Sequence, residues 1–315
     1  MTKPLLALFL LIACFSGVHA QKKTLKKYPE ALNFLVMGDW GRNGEDHQKP
    51  VARQMGKVAK EIKADFIIST GDNFYPSGVV SEFDPLWKYS FEDIYTDFAL
   101  QWDWYPVLGN HDYKSNPDAQ VAYSRISRRW KMPARYYAKT FPIHGDTTRQ
   151  VLIAFIDTNP LIPQFYQGEY GKATVGQDST AQKQWLEGVL ANNSPNIKWK
   201  IVVGHHPLFT ATQKRRESYD TRAVRASLKS LLDKHRVDLY LCGHDHDLQH
   251  LLPEGNTHYF VSGSASEKTE IGNLPISKLA LSDYGFMVFS ASANTMHVQV
   301  VNDTGQIVYT YELNK

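Results

Sequence analysis

Cysteine is almost absent from this chain: among 315 residues only Cys14 and Cys242 carry a thiol. So few thiols exclude a disulfide framework, a Cys-based zinc site and an iron–sulfur cluster, so stability must come from core packing. An excess of one charge is also lacking. The 35 Lys and Arg against 32 Asp and Glu leave a formal charge of +3, which gives no bulk drive towards nucleic acid or a membrane surface. Beyond the first twenty residues there is no apolar run of membrane-spanning length, no repeat and no Gly/Ser or Pro-rich linker. A single domain over residues 21–315 is long enough to bury one large core.

Residues 1–20 read as an export signal. Lys3 supplies a short positive region, Leu5 to Ala13 an apolar stretch, and Val18-His19-Ala20 a small-residue cleavage site. Leu11-Ile12-Ala13-Cys14 also resembles a lipobox, so a lipid anchor on Cys14 is the alternative. Either way the protein is expected to be exported, secreted or periplasmic, with no integral membrane segment in the mature chain. Cys242, in Leu239-Tyr240-Leu241-Cys242, is expected to be a buried small apolar residue.

Periodicity implies a mixed α/β order. Asn33 to Met37 and Phe66 to Ile68 read as buried strands, and Val51, Met55, Val58, Ala59 and Ile62 between them form one helical stripe, a crossover unit. Val151 to Ile156, Trp199 to Val203 and Val237 to Cys242 read as further strands. Helices around Gln182 to Leu190 and Val224 to Leu232 precede the last two. Short strands at 259–262, 285–290, 296–301 and 307–311 close the chain, the last two joined by an Asn302-Asp303-Thr304-Gly305 turn. Crossovers followed by a meander predict two facing sheets covered by helices. Arg125, Arg128, Arg129 and Lys131 are expected on a solvated helix face, and Trp87, Trp102, Trp104, Tyr105 and Tyr113 in the core.

Five polar groups follow apolar runs: Gly38-Asp39-Trp40-Gly41, Gly71-Asp72-Asn73-Phe74-Tyr75, Gly109-Asn110-His111-Asp112, Gly204-His205-His206-Pro207 and Gly243-His244-Asp245-His246. Singly, each reads as a turn. Together they set Asp39, Asp72, Tyr75, Asn110, His205, His244 and His246 at strand ends, where ligands gather in open sheets. His244 and His246 point the same way in a strand-like extension, and the preceding glycines allow sharp turns. Carboxylate, imidazole and amide donors suit Fe, Zn or Mn, and one shared carboxylate lets seven residues serve two cations. Two cations side by side suit phosphoryl transfer.

These ordered blocks resemble the metallophosphoesterase signature, and Tyr75, three residues after Asp72, makes them similar to purple acid phosphatases. Ile126-Ser127-Arg128-Arg129-Trp130, Gln184-Trp185-Leu186-Glu187 and Leu241 to Gln249 resemble the small, mammalian-type tartrate-resistant members, from about residue 32 to the C-terminus. The resemblance implies a four-layer sandwich of two mixed sheets flanked by helices, and a binuclear centre of Fe(III) with a second divalent Fe, Zn or Mn. By position, Asp39, Tyr75 and His246 would hold the ferric ion, Asn110, His205 and His244 the divalent ion, and Asp72 would bridge. The implied activity is acid phosphatase: hydrolysis of small phosphate monoesters by a metal-bound hydroxide, with His111 steadying phosphate or protonating the leaving alkoxide.

The chain departs from the family in places. Leu208 to Arg225 holds no histidine where small members carry one, leaving Lys214, Arg215 or Arg216 as substitute cations and the acid optimum open. His206 stands where tyrosine is frequent and is expected behind the ligands. Two other readings compete. One is a phosphodiesterase or nucleotidase with two ordinary divalent ions, and the other is a non-catalytic exported binding protein.

Overall fold

The computed structural model describes residues 23–315; the segment expected to be an export signal, with Cys14, lies outside the described residues. In chain order the elements are β1 (Leu32–Met37), α1 (Gln48–Ile62), β2 (Phe66–Ser69), β3 (Asp103–Pro106), α2 (Asp118–Tyr123), β4 (Tyr137–Ile143) and β5 (Asp146–Phe155). Then come α3 (Gly171–Thr174), α4 (Ser179–Leu190), β6 (Ile197–Val203), α5 (Tyr219–Lys234), β7 (Leu239–Cys242), β8 (Leu248–Leu251) and β9 (His258–Ser262). The chain closes with β10 (Ser277–Leu281), β11 (Gly285–Ala291), β12 (Thr295–Asn302) and β13 (Ile307–Asn314). No helix among the described residues is long and apolar enough to cross a membrane.

Two mixed sheets result, one of order β13-β12-β11-β1-β2-β3 and one of order β10-β8-β9-β7-β6-β5-β4. Their faces meet through aromatic rings. Phe66 of the first sheet stacks on Phe141 of the second at 4.2 Å, and Phe289 meets Phe260 edge-on at 5.3 Å. In the second sheet alternation sorts side chains between two cores. Ile153, Phe155, Ile201, Val203, Leu239 and Leu241 join the core shared with the first sheet. Ala154, Val202, Tyr240 and Cys242 join a second core with Leu186 and Leu190 of α4 and Val224, Leu228 and Leu232 of α5. On the first sheet, α1 lays its stripe of Val51, Met55, Val58, Ala59 and Ile62 into the larger core. Helix, sheet, sheet, helix is the expected layering.

The expected strands and helices are present within a few residues, and the crossover β1-α1-β2 is parallel. Three strands have no counterpart in the sequence reading, β4, β8 and β10, while β3 is implied only by the apolar run ahead of Gly109. In β4 only Tyr137, Phe141 and Ile143 are buried, and β10 is at most half-buried, so neither shows the apolar run that marks an interior strand. One expectation is corrected. Arg129 is no part of a solvated helix face: it is 3% exposed, pairs with Glu92 at 2.8 Å and donates to the carbonyls of Tyr95 and Leu100. Residues 125–131 are not helical, so their charges share no face. Trp87, Trp104, Tyr105 and Tyr113 are core, but Trp102 is 47% exposed beside Phe98.

Candidate metal centre

Strands β1, β2 and β3 run parallel in one sheet, and β6 and β7 run parallel in the other. All five polar groups therefore leave from carboxyl ends and meet where the two sheets face each other. Backbone bonds stitch the turns: Asp39 N donates to Gly71 O at 3.0 Å, and Tyr75 N donates to Gly41 O at 2.8 Å. Beneath them Trp40 is fully buried, with Nε1 donating to Ser69 Oγ at 2.8 Å and its ring packed on Phe74, Tyr95 and Trp104.

The sharp turns are made by the ligand residues themselves. Asp39, Asp72 and His244 take left-handed φ of 61°, 47° and 70°; of the glycines before them Gly71 does so as well, at 98°, while Gly38, Gly109 and Gly243 do not. Those glycines provide close approach instead. A Cβ on Gly109 would overlap the Asp72 carboxylate, and one on Gly243 the Asp39 carboxylate. This also corrects the expectation for His244 and His246. Residues 243–247 are not a strand, and the turn at His244 sends the two rings to different partners.

Two groups of donor atoms form. In the first, the Tyr75 hydroxyl lies 3.1 Å from Asp39 Oδ1, 3.1 Å from Asp72 Oδ2 and 3.2 Å from His246 Nε2. In the second, Asn110 Oδ1 lies 3.2 Å from His205 Nε2 and 3.0 Å from His244 Nδ1. Asp72 Oδ2 is also 3.5 Å from His205 Nε2, so one carboxylate oxygen touches both groups. His111 stands at the rim. Its backbone N–H donates to Asp72 Oδ1 at 2.7 Å, its Nδ1 meets Pro76 O at 2.6 Å, and its ring lies 4.5 Å from that of Tyr75.

The donor set passes a test of fit for cations. His205 Nδ1 is bound to Thr70 O at 2.8 Å, His244 Nε2 to Asp220 Oδ2 at 2.9 Å, and His246 Nδ1 to Glu267 Oε2 at 3.1 Å. Each of those oxygens accepts, which favours an outer N–H and an inward lone pair once the imidazole is neutral, although at His244 the donor Arg215 Nη1 crowds the same outer nitrogen. Asp39, Asp72, His205 and His244 are buried. Asp39, Asp72 and His205, and separately His205, His206 and His244, form clusters able to hold a metal ion.

Without a cation the site stores protons. Burial pulls the His205 imidazole down, but the Asp72 carboxylate outweighs it and pushes the pKa up to about 9. Burial likewise opposes His246, yet its bonds to Asp39 and Glu267 raise it to about 10. Burial, then the Asp39 and Asp72 charges, hold the Tyr75 phenol well above its usual range. His206 is pushed well down by burial and the neighbouring His244 and His205. Its Nδ1 meets Thr158 Oγ1 at 2.7 Å, while its Nε2 is buried without a partner among the described residues.

Several residues with a part in this geometry escape sequence reading. Buried Asp112 ties two of the loops, accepting from Gly109 N at 2.8 Å and Asn73 N at 3.1 Å. Asp220, Glu267 and Arg42 approach the donor rings from behind; Arg215, one of the three candidate cations of the sequence, enters from the loop before α5. Asp112 had a signal in its place beside His111, whereas Arg42 and Glu267 lie in loops with no period and Asp220 is a polar residue in the first turn of α5.

Calcineurin-like phosphoesterases match this sequence over residues 32–248. The chain is 33% identical over 299 residues to purple acid phosphatase 17 of Arabidopsis thaliana, covering 90% of this chain and 85% of that protein. It is 36% identical over 244 residues to tartrate-resistant acid phosphatase type 5 of Oryctolagus cuniculus, covering 75% and 73%. Among solved structures, it resembles GAP50, the anchor in the inner membrane complex of Plasmodium, with a TM-score of 0.76 and 28% identity over 90% of this chain and 88% of that one. The chain belongs to the calcineurin-like phosphoesterases and, within them, to the purple acid phosphatase family.

Proposed function

We propose that this chain is an exported purple acid phosphatase, with residues 1–20 as its signal and 21–315 as one catalytic domain. It would hydrolyse small phosphate monoesters at a binuclear centre. The observation that carries the reading is the position of Asp72 Oδ2, 3.1 Å from the Tyr75 hydroxyl and 3.5 Å from His205 Nε2. Asp39, Tyr75 and His246 would hold Fe(III), Asn110, His205 and His244 a divalent Fe, Zn or Mn, and Asp72 both. A phenolate and carboxylates are hard anions that favour the higher charge, and a neutral amide with two imidazoles suits the lower.

When bound, the cations would neutralise phosphoryl oxygens and lower the pKa of a water between them. The protein positions this chemistry. Asp112 fixes the loops carrying Asp72 and Asn110, and Asp220, Glu267 and Thr70 O hold the imidazoles in one tautomer. Pro76 O accepts from His111 Nδ1, which leaves Nε2 as the nitrogen that holds or moves a proton for the leaving alkoxide.

The deciding experiment is the visible spectrum of the purified, unreduced protein together with release of p-nitrophenol from p-nitrophenyl phosphate. A purple to pink band lost in Tyr75→Phe, with turnover lost in Asp72→Ala, is the expected result. A protein still colourless after reconstitution with iron would remove Tyr75 from the ligand set and favour two ordinary divalent ions. A second reading, a non-catalytic exported binding protein, is favoured by the likeness to GAP50 and by a loop 208–225 without histidine. A coloured protein that releases no phosphate from any monoester would select it.

A further inference from the structure

The loop leading to α5 carries three consecutive cations, and the fold sends them in three directions. Lys214 lines an outer groove with Gln213, Thr269, Glu270 and Ile271. Arg216 serves the loop itself, its Nη2 donating to Ala211 O at 3.0 Å and lying against Gly272. Arg215 turns inward. Its Nη1 touches His244 Nε2 and lies 3.6 Å from Asp220 Oδ2, and its Nε lies 3.1 Å from Asp245 Oδ1. The other nitrogen of that same imidazole faces Asn110 Oδ1 at 3.0 Å, so the guanidinium stands one ring away from the second group of donors.

Arg215 is more than a structural counter-ion. Both carboxylates that hold it are buried, yet its own side chain remains 31% exposed, so part of it is open to solvent beside the second group of donors. The ion pair with Asp245 is unsatisfied, because Asp245 Oδ1 is buried without a hydrogen bond among the described residues. A guanidinium held only by ion-pair contacts at Nε and Nη1 keeps its N–H donors in a rigid fork that matches the spacing of phosphoryl oxygens. Charge balance points the same way. The first group of donors contains Asp39, Asp72 and Tyr75, whereas Asn110, His205 and His244 are neutral when they ligate, so added cationic charge on their side favours an anionic substrate.

We infer that Arg215, held by Asp220 and Asp245, binds a non-bridging oxygen of the substrate phosphoryl group. Asp220 acts as its positioning residue, one carboxylate orienting both Arg215 and His244. This rests on the phosphomonoesterase reading above and adds to it the cation that discriminates a dianionic monoester from less charged esters.

The test uses the full metal-loaded protein and the variants Arg215→Met, Arg215→Lys and Asp220→Asn. Three quantities are measured: kcat and KM for p-nitrophenyl phosphate, binding of inorganic phosphate by calorimetry, and metal content. Arg215→Met is expected to raise KM and weaken phosphate binding by about tenfold or more, with metal content unchanged. Arg215→Lys recovers only part of this, since an ammonium lacks the fork. Asp220→Asn shows the same weakening together with lower occupancy of the second metal, a combination that a general packing role would not produce. Unchanged KM and phosphate binding in Arg215→Met overturn the inference, as does higher turnover, which would make Arg215 a plug. Loss of metal in Arg215→Met also overturns it. A wild-type protein without turnover sinks the phosphatase reading instead. In that case phosphate binding lost in Arg215→Met still supports the clamp, and binding that is equal or absent in both overturns it.

Discussion

The guanidinium of Arg42 lies 3.8 Å from the centroid of the Tyr75 ring. It is held there by Glu267, whose Oε2 accepts from Arg42 Nη2 at 2.7 Å and lies 3.1 Å from His246 Nδ1, and by Ser266 Oγ at 3.0 Å from Nε. One carboxylate thus couples an arginine over the phenol to the outer nitrogen of a neighbouring histidine. Asp220 does the same for Arg215 and His244 on the other side of the site.

A cation over the ring stabilises phenolate electrons and so raises the energy needed to move one to a ferric ion. With iron bound, Arg42→Met is expected to shift the tyrosinate band to longer wavelength than in wild type. A band at the wild-type position would show that Arg42 does not act on the phenolate.

His111→Ala is expected to lower kcat for p-nitrophenyl phosphate by about 10²–10⁴-fold, with both metals retained. Its backbone N–H, which supports Asp72, survives the substitution, so metal content should not move. Unchanged kcat in a fully loaded variant would reduce His111 to a structural role.

Gly109→Ala places a methyl group into the Asp72 carboxylate and backbone. The expected cost is about 1–3 kcal/mol of stability, together with loss of metal, because the clash falls on the carboxylate shared by both donor groups. The melting temperature and metal content of the purified variant check both parts.

Metal uptake should release protons. His205 and His246 have pKa values raised to about 9 and about 10, so both are protonated at pH 7 before a cation arrives, and both must be neutral to ligate. Calorimetry of metal binding in buffers of different ionisation enthalpy should report about three protons released per binuclear site at pH 7, one each from His205, His246 and the Tyr75 phenol. Zero release would contradict the raised values.

Acid should weaken the fold through a different pair. His250 Nε2 meets His258 Nδ1 at 2.8 Å, and His250 Nδ1 meets Tyr309 at 2.8 Å. Burial and the charges of His258 and Lys278 depress His250 to about 3, and burial with Lys278 depresses His258 to about 4. A histidine with a lowered folded pKa has no effect above its unfolded value of about 6.5. Below that, the unfolded chain takes up the proton first and stability falls until the folded pKa is reached. At pH 5 the loss for His250 is at most about 2 kcal/mol, and the more exposed His258 contributes less. His258→Gln should therefore flatten the fall in urea midpoint between pH 7 and pH 5. A slope equal to wild type would rule the pair out as a source of acid lability.

The sequence alone determined the layering and the positions where the donor residues stand. Both are local: a buried strand reads as an apolar run, a covering helix as a stripe, and a polar residue after a strand-end glycine must lie at a sheet edge. Strands such as β10, with no buried residue, left no such trace. Tertiary structure alone decided what stands behind each ligand. Arg42 and Glu267 are 225 residues apart, Asp220 comes from the first turn of α5, and Arg215 was one of three adjacent cations that no pattern could separate. Such contacts depend on how loops from two sheets fold against one another. A loop carries no periodicity, so only the packed molecule settles which of its charges faces the site.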